Sequence, residues 1–568
     1  MQISPRLRRF FPFLQWPRPT PAGLRQDVWA GITVGLVLVP QAVAYAALAG
    51  MPAETGLYAA LLPAIVGILW GSAPLLAVGP VALTSLLTFG SLAPLAEPGS
   101  AKWVGLAIWL SLYAGLIQFL LGAFRLGRIA SLVSQPVMTG FINAAAIIII
   151  VSQLPALTGL RADDPGSLMR QLRDDGTRVL LSCGFGLASL LLLALFKRLW
   201  PAFPGVLAVC VLGIGAGRLL DYERLGGAVV GAIPAGLPAL SLPPSIPLAS
   251  HQELWPAALV LALISFTEAM TSCRALSRKR NEAWDENQEL IGQGLAKTVA
   301  GFTGAFPVSG SFSRSALNLY AGAQSAWATL VATLCVLLSL LFLTDLIRHL
   351  PLAVLAAMIM MPVFSLLDLR ALRRLFAVSR LDAAIALVTF FVTLFSMPRL
   401  HWGVVAGVVL TMGAFLYRRT EPRIIEVSLH ADGTLRDRAR FSLPPLAPDL
   451  LAVRIDAALN FLTSAALLRF IGERCRQDRG LRRVLLCASG INDIDTTGTD
   501  ALAQLHASLQ AEGISLQLCS VKKQVMEMLE KAGFAQTLGP ARIFPTDSAA
   551  VAALSEGGGY GGIARAAR

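Results

Sequence analysis

Between residues 28 and 417 the chain is a succession of apolar runs separated by short polar or basic breaks. Fourteen such segments begin near residues 28, 55, 80, 103, 129, 179, 201, 255, 288, 311, 326, 350, 381 and 400. Many run for ~20 residues, the length at which an α-helix crosses ~30 Å of hydrocarbon. The third, after VGP, and the tenth, after PVSG, are too short to cross as intact helices. These two stand seven segments apart, which predicts two seven-segment halves of inverted orientation with the broken spans as counterparts. In secondary transporters such a pair points to the binding site. Pro80 and Pro307 could each be an ordinary membrane-helix proline, but that account leaves their matched positions unexplained.

Basic residues sharpen the topology. Arg125 and Arg128, Lys197 and Arg198, Arg274 to Arg280, Arg370 to Arg374, and Arg418 and Arg419 all follow even-numbered spans. The opposite loops mix signs, as in Asp163, Asp164, Arg170, Arg173 and Asp174, or carry few charges. The bias of Lys and Arg to the cytoplasmic side then places both termini in the cytoplasm.

After residue 420 the rhythm changes. LLAVRIDAAL, RRVLLCASGI and ISLQLCSV read as strands, SAALLRFIGERCRQ and TDALAQLHASLQAEG as amphipathic helices. This predicts a separate α/β domain with its own core. The expected division is a cytoplasmic N-terminal segment over 1–26, a transmembrane domain over 27–418, a linker (or first strand) over 419–440, the α/β domain over 441–555, and a disordered Gly-rich tail over 556–568.

Composition removes several classes. The 568 residues are 55% hydrophobic and 14% charged, with a mean hydropathy of +0.65, far too apolar for a soluble enzyme. The net charge of +13 lies in clusters between apolar runs, so nucleic acid is not an expected partner; the lipid bilayer is. The seven cysteines contain no CxxC pair and the five histidines are isolated, so no metal and no cofactor is expected. The basic N-terminus lacks the apolar core of a cleaved signal peptide.

The candidate chemistry centres on FPVSGSFSRSALNLYAG, Phe306 to Gly322. An arginine at membrane depth is costly and marks a cavity or pathway. Arg314 sits there among Ser309, Gly310, Ser311, Ser313 and Ser315, residues that suit the start of a half-helix whose N–H groups point at an anion. The N–H groups of Ser311, Phe312 and Ser313 would carry the positive end of the helix dipole, with the two serine hydroxyls adding donors and Arg314 a fixed positive field. A plainer account has the serines capping the helix and Arg314 paired with Glu268. In the third span Pro80 suits a first helical turn, leaving Val81 and Ala82 as main-chain donors. In the first span Gln41 and Tyr45 share a helical face, as an amide donor and either an aromatic wall or a packed core ring. Glu268, the lone acid of its membrane stretch, is expensive unless paired or protonated.

PQAVAYAALAG, VGPVALTSLL, NQELIGQGLA and GFTGAFPVSGSFSRSALN, in this order and at this spacing, resemble the sulfate permease (SulP) family of anion transporters. NDIDTTGTDAL and VKKQVMEMLEKAGF resemble a STAS domain, the fold shared with anti-sigma factor antagonists. The likeness spans nearly the whole chain. It implies an α-helical polytopic membrane protein of fourteen segments in a 7+7 inverted repeat, with a core domain (spans one to four and eight to eleven), a gate domain (spans five to seven and twelve to fourteen) and a C-terminal α/β STAS domain. It also implies a homodimer and an elevator-like motion of core past gate.

The implied substrate is an inorganic or small carboxylate anion, sulfate first and bicarbonate or a dicarboxylate as alternatives; a passive chloride channel would need the same pocket. The implied substrate-binding residues are Gln41, Tyr45, Val81, Ala82, Gly310, Ser311, Phe312, Ser313 and Arg314. Glu268 and Ser272 are the coupling candidates. Sodium-coupled relatives carry an aspartate where this chain has Glu268, followed here by Thr271 and Ser272. That departure favours a proton as co-substrate over sodium, and a purely structural Glu268–Arg314 pair stays open. Asn287, Gln288 and Glu289 resemble the family's cytoplasmic start of the ninth span, expected to serve in capping and interdomain contact. Thr496, in DTTG, falls where anti-sigma antagonists are phosphorylated; alternatively Asp495 simply caps the helix there. Transport by a membrane-bound carrier in a bacterial-type inner membrane, not catalysis, is the expected function.

Overall fold

The computed structural model describes residues 11–16, 19–128, 133–160, 176–200, 204–234 and 236–555. The mixed-sign loop at 163–174, residues 1–10 and 17–18 of the N-terminal segment and the Gly-rich tail lie outside them. The chain divides into two compact units, Met1–Thr411 and Met412–Arg568.

Every apolar run becomes helical, the last one extending past the end of the first unit. The first span is Pro21–Leu48, and the second is two helices, Ala53–Ala59 and Leu62–Trp70. The third is strand β1 (Ala77–Gly79) followed by Ala82–Leu92, and the fourth is Ala101–Ala123. The fifth to ninth are Gln135–Thr158, Gly176–Leu199, Gly205–Leu219, Leu248–Arg280 and Glu286–Phe302. The tenth is strand β2 (Ser309–Ser311) followed by Phe312–Tyr320. Trp327–Phe342, Leu352–Phe364, Arg380–Phe395 and His401–Thr420 complete the set. Among the described residues, seven helical stretches are long and apolar enough to cross a membrane by themselves.

The two short spans behave as their length predicts. Their helices have 11 and 9 residues, or about 16 and 14 Å at 1.5 Å per residue. What the sequence did not reveal is that their extended leaders pair with each other. β1 and β2 run antiparallel, with Ala77 opposite Ser311, Val78 opposite Gly310 and Gly79 opposite Ser309. Gly310 and Ser311 therefore belong to a strand, and the half-helix begins only at Phe312. The reason is backbone accounting: extended chain inside an apolar interior must find partners for its N–H and C=O groups, and each leader satisfies the other. The break in the second span was also not foreseen. Pro63 opens its second helix, where a missing N–H does no harm.

Burial sorts the spans. The first span is 78% buried over its most apolar window and the sixth 33%, so the former is central and the latter presents its leucines outward. The fourth and ninth spans approach to backbone contact. A Cβ added at Gly294 would lie 2.5 Å from the Phe119 amide, and one added at Gly115 would lie 2.8 Å from the Gly294 carbonyl. Small residues at such a crossing are the usual device for close helix packing in membranes.

The second unit is a six-stranded sheet in the order β4-β3-β5-β6-β7-β8. Its strands are β3 (Ile424–Leu429), β4 (Leu435–Asp437), β5 (Leu450–Ile455), β6 (Arg483–Cys487), β7 (Ser515–Cys519) and β8 (Ile543–Phe544). β5 to β8 are parallel, and β3 pairs antiparallel with both β4 and β5. The stretch 419–440, expected as a linker or first strand, thus supplies two strands of the sheet. Alternation along β5 feeds two cores. Leu451, Val453 and Ile455 pack with the helices Ser464–Gln477 and Thr496–Ala511, whereas Leu450 and Ala452 pack with Ala550 and Leu554 of the helix Asp547–Ser555. The second core also holds Cys487 and Cys519, register partners on β6 and β7. Linear spacing had given no hint of a cysteine pair, yet the fold brings both thiols and Asp547 within 4.8 Å of one another. Cys519 donates to Asp547 Oδ1 at 3.3 Å.

Candidate anion-binding site

The site is assembled where β1 and β2 give way to their helices. Val81 is extended (φ −137°, ψ 145°) and the helix after it starts without a side-chain cap. Its first-turn N–H groups therefore have no side-chain acceptor, as a site for an exogenous anion requires. The tenth-span helix is capped weakly: Ser311 Oγ accepts from the Arg314 amide at 3.4 Å and lies 3.4 Å from Ser313 Oγ. Two of the four serines hold the scaffold. Ser309 Oγ donates to the Ser265 carbonyl at 2.8 Å, and Ser315 Oγ accepts from the Ala77 amide at 2.9 Å. Ser311 is the cap, and Ser313 is left facing the cavity.

Arg314 is 1% exposed. Its Nη1 donates to the Pro80 carbonyl at 2.8 Å, and among the described residues Nε and Nη2 have no hydrogen-bond partner. The guanidinium therefore reaches from the tenth span to the start of the third and keeps two donors free. It does not form the direct pair with Glu268 that the sequence left open. Glu268 retains a shielded, unpartnered Oε2. Ser272, the second coupling candidate, turns its hydroxyl back to the Glu268 main-chain carbonyl at 3.2 Å.

A cavity of about 280 Å³ opens beside this junction, lined by Gln41, Ser313, Arg314 and Leu317 on one side. Phe196, Lys197, Pro204 and Gly205 of the sixth and seventh spans, with Met361 and Ser365 at the end of the twelfth, line the other. Of the sequence candidates, Gln41, Ser313 and Arg314 meet in one cavity, and Gln41 Oε1 is buried there without a partner. Tyr45, Val81, Ala82 and Ser311 are buried and outside the lining; Tyr45 is near enough to feel the charges of Arg314 and Glu268. Gly310 is fixed in β2, and Phe312 is 52% exposed.

Two cations escaped the sequence reading. Lys197 was counted only as a topology marker. Lys297 was passed over inside LAKTVAGFTGA, although a lysine in the middle of an apolar span was itself the signal. It is completely buried and its Nζ donates to Gln118 Oε1 at 2.9 Å. Gln118 in turn donates to the Ala262 carbonyl at 2.7 Å and to Ser265 Oγ at 3.0 Å.

At the start of the ninth span Asp285 is the cap, accepting from the Asn287 and Gln288 amides, so capping does not fall to the three residues expected. Asn287 Oδ1 accepts from Gly127 N, Gln288 donates to the Trp70 carbonyl, and Glu289 accepts from the Ser72 and Ala73 amides. In the second unit Thr496 is exposed at the first position of its helix, where Asp495 caps by accepting from Gly498 N at 2.7 Å.

Broken, paired helices in a polytopic apolar unit, followed by a soluble α/β unit, define a multi-pass membrane transporter. The sequence profile of the sulfate permease family matches residues 24–389 and that of the STAS domain residues 445–550. A probable sulfate transporter of Mycobacterium tuberculosis is 32% identical over 536 residues, covering 94% of this chain and 95% of its own. Sulfate transporter 3.1 of Arabidopsis thaliana is 30% identical over 578 residues, covering 97% and 87%. The structure of the murine Solute Carrier 26 family member A9 anion transporter in its inward-facing state matches with a TM-score of 0.86 at 22% identity, over 98% of this chain and 96% of that one. The transmembrane domain of the cyanobacterial bicarbonate transporter BicA matches with a TM-score of 0.57 at 22% identity, over 68% and 98%. The chain belongs to the sulfate permease family, whose members are anion transporters and not enzymes.

Proposed function

We propose that this protein is a proton-coupled carrier of sulfate, holding the anion between the starts of the third- and tenth-span helices. The observation that carries the reading is Arg314, a buried guanidinium whose Nε and Nη2 have no partner among the described residues, beside an uncapped helix start and a largely apolar cavity into which Gln41 and Ser313 also reach. Charge-assisted donors in a dry site are the strongest non-metal ligands for an oxyanion. Sulfate is favoured among small anions because relatives at 30% and 32% identity carry that name. Gln41 and Ser313 are assigned to the anion as polar contacts, Val81 and Ala82 as main-chain donors, and Tyr45 as the packing behind Gln41.

Glu268 is assigned the proton. A carboxylate with a shielded, unpartnered oxygen is costly as an anion and is relieved by protonation, and Arg314 close by links its charge to the occupancy of the anion site. The cavity lies between first- and tenth-span residues on one side and sixth-, seventh- and twelfth-span residues on the other, which suits an elevator-like displacement of core against gate. Lys197 at its rim belongs to a basic cluster assigned to the cytoplasmic face, so the cavity is read as inward-open.

The test is uptake into proteoliposomes containing the full chain. Sulfate should accumulate against its gradient when the outside is acidic, and Glu268→Gln should abolish accumulation while leaving sulfate exchange. Downhill flux alone would mean a channel, and undiminished accumulation by the variant would remove Glu268 from the proton path.

A further inference from the structure

A membrane interior tolerates an ammonium group only where opposite charge or several acceptors compensate it. Lys297 is completely buried, and among the described residues its Nζ has one hydrogen bond, to a neutral amide oxygen, Gln118 Oε1. A glutamine or asparagine would fill that role without burying a charge. Among the described residues the acid whose charge acts on Lys297 is Glu268, and the cations whose charges act on Glu268 are Arg314 and Lys297. Tyr45 of the first span also faces it. The third-span helix, ALTSLLTFGSL, has no ionisable side chain, and from the fourth span the neutral Gln118 packs here.

The connection is physical as well as electrostatic. Lys297 holds Gln118, Gln118 donates to Ser265 Oγ, and Ser265 stands one turn before Glu268 on the eighth span. The Ser265 carbonyl also accepts from Ser309 of β2. One chain of contacts thus runs from the lysine, past the carboxylate's own helix, to the leader of the tenth-span half-helix.

We propose that Lys297 is the internal counter-cation of Glu268: the ninth span supplies, as a covalently attached ammonium group, the positive charge that a bound metal cation would otherwise bring to this carboxylate, and transport is therefore independent of sodium. This rests on the assignment of Glu268 as the coupling group, but not on the direction or identity of the coupled flux. Lys297 acts through Glu268 and is a positioning residue; it does not contact the anion.

The experiment uses the full chain in proteoliposomes and reads two quantities: sulfate counterflow at equal pH on both sides, and pH-driven uptake with and without sodium. Lys297→Gln should lower counterflow at least about tenfold, because removing one partner of a buried pair strands the other. Lys297→Arg should retain most of it. In the double variant Glu268→Gln, Lys297→Gln counterflow should return to within about threefold of Glu268→Gln alone, since no stranded charge remains. Wild-type uptake should be the same with and without sodium, and sodium should partly restore counterflow to Lys297→Gln. Should Lys297→Gln fail to fold, recovery of folded protein by the double variant supports the proposal and its absence overturns it. Independent, multiplying effects of the two substitutions, or sodium-dependent wild-type uptake, would also overturn it. If Glu268→Gln still accumulates sulfate under a pH gradient, the proton assignment fails by itself, and the counterflow cycle and sodium arms still decide the role of Lys297.

Discussion

The third-span helix, Ala82–Leu92, and the tenth-span helix, Phe312–Tyr320, start from two strands that pair with each other, yet their first turns offer opposite things. The third span brings an uncapped backbone and no charged side chain. The tenth brings a serine cap, a second hydroxyl and a buried guanidinium. The two are joined at the Pro80 carbonyl, which accepts from Arg314. An inverted repeat does not make two equal half-sites. One half has kept bare main chain, which among substitutions only proline alters directly, and the other concentrates the side-chain chemistry.

That asymmetry can be broken in graded steps. Arg314→Ala should have the largest effect, a loss of sulfate affinity of roughly 100-fold, because it removes a charged donor pair and orphans the Pro80 carbonyl. Isothermal binding titration on purified protein measures it, and a loss under about threefold would take Arg314 out of the site. Ala82→Pro deletes one N–H from the third-span helix at the position where proline fits, and Val81 already has the extended backbone that precedes proline. A loss of about tenfold with normal folding would assign that N–H to the anion; unchanged binding would leave the tenth span acting alone. Ser313→Ala should cost about threefold to tenfold in affinity, in keeping with one neutral hydrogen bond. A control outside the membrane unit has the smallest effect. Thr496→Ala should leave transport within about twofold, whereas Asp495→Ala should lower the stability of the soluble unit by about 1 kcal/mol through loss of the helix cap, read by thermal unfolding.

The membrane architecture was legible because apolar length is a one-dimensional signal: the short third and tenth spans announced themselves by falling below the crossing length. The start of the tenth-span helix lies one residue beyond its expected position because β2 exists only by virtue of β1, more than two hundred positions earlier. Half of the serine cluster proved to be scaffold for the same reason, as Ser309 and Ser315 are occupied by partners on the eighth span and β1. Gln41, Ser313 and Arg314 were recognisable as polar residues in apolar surroundings. Lys297 carries the same signal, but LAKTVAGFTGA holds no other charged residue to mark its partners, which come from the fourth and eighth spans. The far wall of the cavity, Phe196 and Lys197 with Met361 and Ser365, has no distinguishing pattern in sequence, since only tertiary packing makes those helix ends neighbours.

The contact between Gly115 and Gly294 has a kinematic meaning. With backbones this close, the fourth and ninth spans can neither slide nor roll against each other without steric collision, so they form one inflexible part. Lys297 and Gln118 sit on that part, and Ser265 is bound to it through Gln118. In the proposed elevator-like displacement the eighth span would travel with them, so Glu268 would keep Lys297 and Gln118 as companions throughout, and the direction of net flux would be set by the solutions on either side of the membrane.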